Sequence, residues 1–205
     1  MARMSAPTAN HDPRPAFFAA ADQLVRLVTV IAPQDLGRPT PCDDFDVATL
    51  AGHLLCVLRR ITHVATGGAY ADVPQVVTGI DPGSWGATIA ADRDAMRAVW
   101  SDEAVLDRLL VLPPGVEVPG RVGAVRYTQE MVTHAWDLAA AMDRRDELDS
   151  GLAAPLVEPA RRFVPRERAH FPFGDVVEVP EDAGPYDQLV GWLGRDPSWS
   201  PADAG

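Results

Sequence analysis

Residues 121–143, RVGAVRYTQEMVTHAWDLAAAMD, decide how this chain folds and where its chemistry sits. Tyr127, Met131, Leu138 and Ala141 recur at steps of three and four, the period of a helix with one face turned to a core. Glu130 and His134 fall in or beside that stripe. Residues four apart on a helix differ by about 40° in direction and about 6 Å along the axis, so both side chains can close on one cation. The same spacing also serves an ordinary turn-to-turn ion pair. The face distinguishes the two: a buried acid and a buried imidazole each need a partner, and a cation with a third ligand from elsewhere serves both.

That third ligand is sought upstream. Residues 47–68, VATLAGHLLCVLRRITHVATGG, form a second periodic stretch with the stripe Val47, Leu50, Leu54, Val57, Ile61 and Val64, closed by Gly67 and Gly68. His53 lies within the stripe. It reads either as a satisfied core histidine or as the residue completing a His/His/Glu set, a known catalytic zinc shell. His63, ten residues on, lies about 15 Å farther along the axis and turned by roughly 80°, so one cation cannot reach both histidines. Beside Arg59 and Arg60, it reads as solvated. Cys56 is close enough to His53 to approach a metal, but a free cysteine more often packs as a small apolar group.

The remaining segments frame these two. Helical spacing from residue 16 to about 31 gives a first helix, and the Pro- and Asp-rich link PQDLGRPTPCDDF offers Asp44 or Asp46 as the N-cap of the second. A third helix is expected over residues 84–100, with a short continuation DEAVLDRLLVL. VLPPGVEVPGRV reads as a hairpin or irregular crossover, and residues 150–170 as a helix broken by Pro155, Pro159 and Pro165. A short helix carrying Leu189, Trp192 and Leu193 is expected near the end. Glu167 and His170 make an E-x-x-H, set aside as surface because it has no companion carboxylates. Residues 1–15 read as a mobile tail, which makes His11 a poor ligand, and residues 16–205 as a single metal-binding helical-bundle domain.

Composition excludes several classes. A formal net charge of −11, with no basic run longer than two, argues against nucleic acid and anionic membrane as partners. No run of eighteen apolar residues occurs, and the first residues lack the apolar middle of a signal peptide, so a cytoplasmic protein is expected. Cys42 and Cys56 alone suggest no disulfide framework. All 18 basic residues are arginine, the mark of a GC-rich genome of actinobacterial type.

Three stretches together carry a resemblance: TPCDDFDVATLAGHLL around His53, RYTQEMVTHAWDLAAA around Glu130 and His134, and DAGPYDQLVGWLGRDPSW near the end. The chain resembles the DinB-like superfamily of metal proteins, close to the actinobacterial group related to the N-terminal domain of mycothiol-dependent maleylpyruvate isomerase. The resemblance implies an all-α, DinB/YfiT-like four-helix bundle (up-down-down-up) with extra short helices and a small hairpin. It implies His53, Glu130 and His134 as ligands of a divalent metal, zinc most often, with nickel or another divalent ion as alternatives. It also implies a small-molecule thiol, mycothiol, as cosubstrate. Phe45 stands where the family often has Trp, near the site entrance. The isomerase has a second domain that helps hold its substrate and that this sequence is too short to include, which weighs against maleylpyruvate isomerisation itself. The expected function is therefore a thiol-dependent transferase or isomerase. The alternatives are a non-catalytic metal-stabilised or metal-sensing interaction protein, compatible with a homodimer, or a metal-dependent hydrolase. Asp137 is placed to hydrogen-bond an imidazole or to pair with an arginine, Tyr127 to orient substrate or to pack, and Arg126 to meet a substrate carboxylate or to lie in solvent.

Overall fold

The computed structural model describes residues 12–42, 45–113, 115–168 and 173–203. Four long helices carry the architecture: α1 (Arg14–Thr29), α2 (Val47–Ala65), α3 (Trp85–Trp100) and α5 (Gly120–Ala141). Between α3 and α5 lie the single turn α4 (Ala104–Asp107) and a hairpin of β1 (Leu109–Leu112) and β2 (Val116–Pro119). After α5 come the short α6 (Ser150–Ala153), α7 (Val157–Phe163) and α8 (Pro185–Trp192).

Side-chain contacts fix the helix directions. The ring of Phe17, early in α1, lies 4.8 Å from that of Trp100 at the end of α3, so α1 and α3 run antiparallel. The Trp100 indole donates to the Ile61 carbonyl late in α2, while Trp85 lines a cavity with Thr49 at the start of α2, so α2 and α3 run parallel. His53 of α2 meets His134 late in α5, making those two antiparallel. The order is up-down-down-up. The parallel pair α2 and α3 is made possible by the long connection between them, residues 66–84, which crosses the length of the bundle.

Local signals account for the boundaries. Asp46 caps α2 by accepting from the Thr49 amide at 2.8 Å; Asp44, the alternative cap, is outside the described residues, as is His11. Gly67 ends α2 at φ +95°, a left-handed conformation that costs glycine little. Proline breaks the segment after α5 into α6, a 3₁₀ turn and α7. Helix α1 starts at Arg14, two residues before the expected position.

One expectation needs correction. Leu109 and Leu110 do not continue the α4 turn but open β1, pairing with Pro119 and Val118. Alternation explains it: Leu110 and Leu112 turn inward, whereas Leu109 and Val111 stay exposed, a period of two.

The core is built from the inner faces of the long helices, with Leu24, Leu50, Leu54, Leu58, Ile89, Met96 and Trp136 almost wholly covered. Within it α2 admits an unusually close neighbour. A Cβ on Gly52 would sit 2.2 Å from the Val77 carbonyl oxygen and 3.1 Å from the Val76 side chain. Helix propensity alone predicts that Gly52→Ala stabilises by about 1 kcal/mol. The close approach reverses the sign, and urea unfolding is expected to show a loss of about 1–3 kcal/mol from overpacking. An unchanged or raised midpoint would show that residues 73–77 do not press on α2 as described.

Candidate metal centre

The antiparallel register of α2 and α5 brings His53, Glu130 and His134 together. One donor atom from each lies within 4.8 Å of the others, with His53 Nε2 and Glu130 Oε1 separated by 3.9 Å and the imidazole centroids by 5.0 Å. No other such cluster of His, Cys, Asp and Glu occurs among the described residues. The three sequence candidates therefore converge at one point. Donors at 2.0–2.2 Å from a tetrahedral zinc lie about 3.4 Å apart, so side-chain rotations moving each donor by about 1 Å would close the set on an ion.

The neighbours of the triad select its tautomers. His53 Nδ1 lies 2.8 Å from the Gln75 carbonyl oxygen, which can only accept, so Nδ1 carries the hydrogen and Nε2 keeps its lone pair. His134 Nδ1 donates in the same way to Asp137 Oδ2 at 2.9 Å. In the neutral form of each ring the Nε2 lone pair is thus left for the site, the arrangement metal-binding histidines use.

Asp137 is fully buried and fulfils both roles considered for it. Besides the imidazole it accepts from Arg195 Nη2 at 3.0 Å and Nε at 3.2 Å. Burial alone would push its carboxyl up, but the Arg195 charge and the His134 hydrogen bond outweigh this and hold it below the ordinary range. Arg195 follows α8, so the C-terminal segment is tied to α5 through a buried pair.

Burial, assisted by His134, pushes His53 down to about 4 against the pull of the Gln75 carbonyl. At neutral pH it is an uncharged donor. Burial raises Glu130, with the charges of His134, Arg60 and Arg126 opposing it. The Glu130 side chain is 29% exposed and that of His134 13%, so the triad is reached from the surface on the Glu130 side. The Phe45 ring, at the position where the resembling family often has Trp, lies 5.4 Å from that of His53. Two cavities, of about 230 and 170 Å³, are lined by other residues, Trp136, Arg145 and Tyr186 in one and Thr49, Val77 and Trp85 in the other.

The remaining candidates sort cleanly. His63 pairs with Asp72 at 2.8 Å, near the surface and away from the triad. Cys56 is buried, and burial raises its thiol; it is not part of the cluster. Arg126 stacks over Phe163 with its guanidinium carbon 5.7 Å from the ring centroid. Tyr127 is buried with its hydroxyl unpaired, and His170 lies outside the described residues. The sequence reading missed Gln75, Arg195 and Arg60. A backbone carbonyl such as that of Gln75 leaves no residue signature, and Arg195 is 58 positions from Asp137, beyond any periodicity.

Comparison with known proteins places these residues in a wider setting. Residues 17–139, which include the whole triad, match the family described as the mycothiol maleylpyruvate isomerase N-terminal domain. Uncharacterized proteins from two strains of Mycobacterium tuberculosis are each 32% identical over 190 residues, covering 90% of this chain and 98% of theirs. The crystal structure of the mycothiol-dependent maleylpyruvate isomerase aligns with a TM-score of 0.55 at 13% identity, over 74% of this chain and 70% of that one. A variant of that enzyme with a histidine replaced by alanine gives 0.50 over the same shares. At that identity the structural likeness speaks for the fold, while the sequence match spans more than half the chain: the protein belongs to the mycothiol maleylpyruvate isomerase N-terminal domain family.

Proposed function

We propose that His53, Glu130 and His134 hold a divalent cation, with zinc the best match, and that the chain works with a low-molecular-weight thiol, mycothiol, as a transferase or isomerase. The observation that carries this reading is the convergence of two Nε2 lone pairs and one carboxylate from helices distant in sequence, each imidazole fixed through its other nitrogen. Three protein donors on an ion that prefers four leave one position open. Two neutral imidazoles and one carboxylate leave about one positive charge on a dipositive ion, which favours an anion in that position. A bound divalent ion supplies Lewis acidity, enough to keep a coordinated thiol as its thiolate at neutral pH. The residues around it supply orientation: Asp137 and the Gln75 carbonyl hold the rings, and Phe45 covers one side of His53. Family membership supports the choice of thiol. The same open position would serve a hydrolase if water took it, or only a stabilising ion if nothing did.

Thermal unfolding of the zinc-loaded protein in the presence of mycothiol, cysteine and serine separates these readings. A thiol at 100 times its Kd is expected to stabilise by about 2.7 kcal/mol, a rise of about 5–10 °C, with serine inert. A rise with chloride or acetate and none with either thiol would replace thiol chemistry by hydrolysis or plain binding.

Among the described residues no helix is long and apolar enough to cross a membrane. A small soluble thiol as partner is consistent with that.

A further inference from the structure

Next to the triad lies a polar pair that the proposed metal site leaves unused. Arg60 is seven residues after His53 on α2, about 10 Å along the axis and turned by only about 20°, so it shares the face of the ligand. It is only 3% exposed, and among the described residues no carboxylate lies within ion-pair distance of it. Its Nη2 donates to the neutral carbonyls of Val73 at 3.2 Å and Pro74 at 2.7 Å, and its guanidinium stacks on Tyr70 at 4.4 Å. Its Nε–H is buried without any acceptor. From the other helix Tyr127, also 3% exposed, presents a hydroxyl that is buried and equally without a partner. Tyr127 is one turn before Glu130, and the antiparallel register sets it opposite the Arg60 end of α2. The charge of Arg60 is felt at both Tyr127 and Glu130.

Two orphaned donors on facing helices, both buried and with the Arg60 charge reaching Tyr127, call for a partner, since a buried polar group without one costs about 1–3 kcal/mol. Charge points the same way. With Glu130 committed to a dipositive ion and Asp137 neutralised by Arg195, the ion, Glu130 and Arg60 together leave an excess of about two positive charges in a largely buried region. One anionic donor on the ion removes half of it.

We propose that Arg60 and Tyr127 form an anion subsite that binds a carboxylate of the small molecule acted on at the triad, through the Arg60 Nε–H and the Tyr127 O–H. The ligand class is a short acid that places a carboxylate within about 10 Å of the ion. The subsite adds the substrate's charge to the thiol-dependent reading and rests on it for the identity of the ion, but not for the two donors. Residues 73–77 give it rigidity, because the same strap that accepts from Arg60 also accepts from His53 through Gln75.

The test is calorimetric titration with succinate and, separately, inorganic phosphate, on zinc-loaded and chelator-treated protein, with elemental analysis of every sample. Tyr127→Phe removes one oxygen and leaves the packing, and Arg60→Gln removes the charge. Succinate is expected to bind tighter than phosphate. Tyr127→Phe is expected to weaken succinate about tenfold or more, the worth of a hydrogen bond to a charged group, with zinc content unchanged. Arg60→Gln should weaken it further. Equal succinate affinity in wild type and Tyr127→Phe overturns the subsite, as does tighter binding of phosphate or no binding of either. If the wild type takes up no zinc, the metal reading fails by itself, and the same comparison on metal-free protein decides the subsite independently.

Discussion

His134→Ala is expected to bind zinc at least about 100-fold more weakly than wild type, so that protein purified without an affinity tag loses most of a near-stoichiometric metal content. The loss should exceed the 10–100-fold typical of removing a residue that merely supports a ligand, because a donor itself is removed. Glu130→Gln is the companion variant: nearly isosteric, it replaces an anionic donor with a neutral one. Both leave the Asp137–Arg195 pair in place, so a folded protein with no metal is the expected product. Competition with a chromophoric chelator measures it. Full zinc content in His134→Ala would remove that imidazole from the ligand set.

Asp137→Ala is expected to cost about 3–5 kcal/mol of folding stability, the largest single-residue effect outside the apolar core. It removes the buried carboxylate that pairs with the Arg195 guanidinium, whose side chain is only 12% exposed, and leaves the His134 Nδ1–H without its acceptor. Because the Asp137 carboxyl is held below its ordinary range in the folded chain, its contribution is complete at neutral pH. It is lost as pH falls from about 4 through the lowered folded-state value. Zinc affinity should fall 10–100-fold as well, since the imidazole loses the group that fixes its tautomer. Asp137→Asn separates the effects: it keeps the shape and one acceptor but not the charge. A cost below about 1 kcal/mol for Asp137→Ala, as for a surface ion pair, would contradict the buried linkage between α5 and the C-terminal segment.

What the sequence made legible follows from which interactions are periodic. Glu130 and His134 could be placed on one face because four residues only slightly exceed one helical turn, and His53 because its apolar neighbours recur at the same period. That these two faces meet needs the up-down-down-up order, which came from resemblance and which the Phe17–Trp100 and Trp100–Ile61 contacts bear out. The groups that orient the rings were out of reach for different reasons. Gln75 acts through its backbone, in an irregular segment whose course no periodicity fixes. Arg195 pairs with Asp137 across 58 residues, so the spacing offered an arginine partner without naming one. Arg60 looked like one of two surface arginines beside His63. Arg59 does reach Asp92 near the surface, whereas Arg60, one position on, points 100° away into the protein. The LLVL stretch misled because a short continuous apolar run fits a helix end or a strand equally well, and the turn at Gly115, at φ +104°, settles it as a hairpin.

The proposed centre consists of two imidazoles and a carboxylate sharing one ion. Crystals of untagged protein measured at the absorption edge of the metal that copurifies test this directly. The expected result is one strong anomalous peak about 2.0–2.2 Å from His53 Nε2, His134 Nε2 and a Glu130 oxygen, with a non-protein atom completing the coordination. A peak at any other site, a fourth protein ligand, or no peak after equilibration with excess zinc would contradict it.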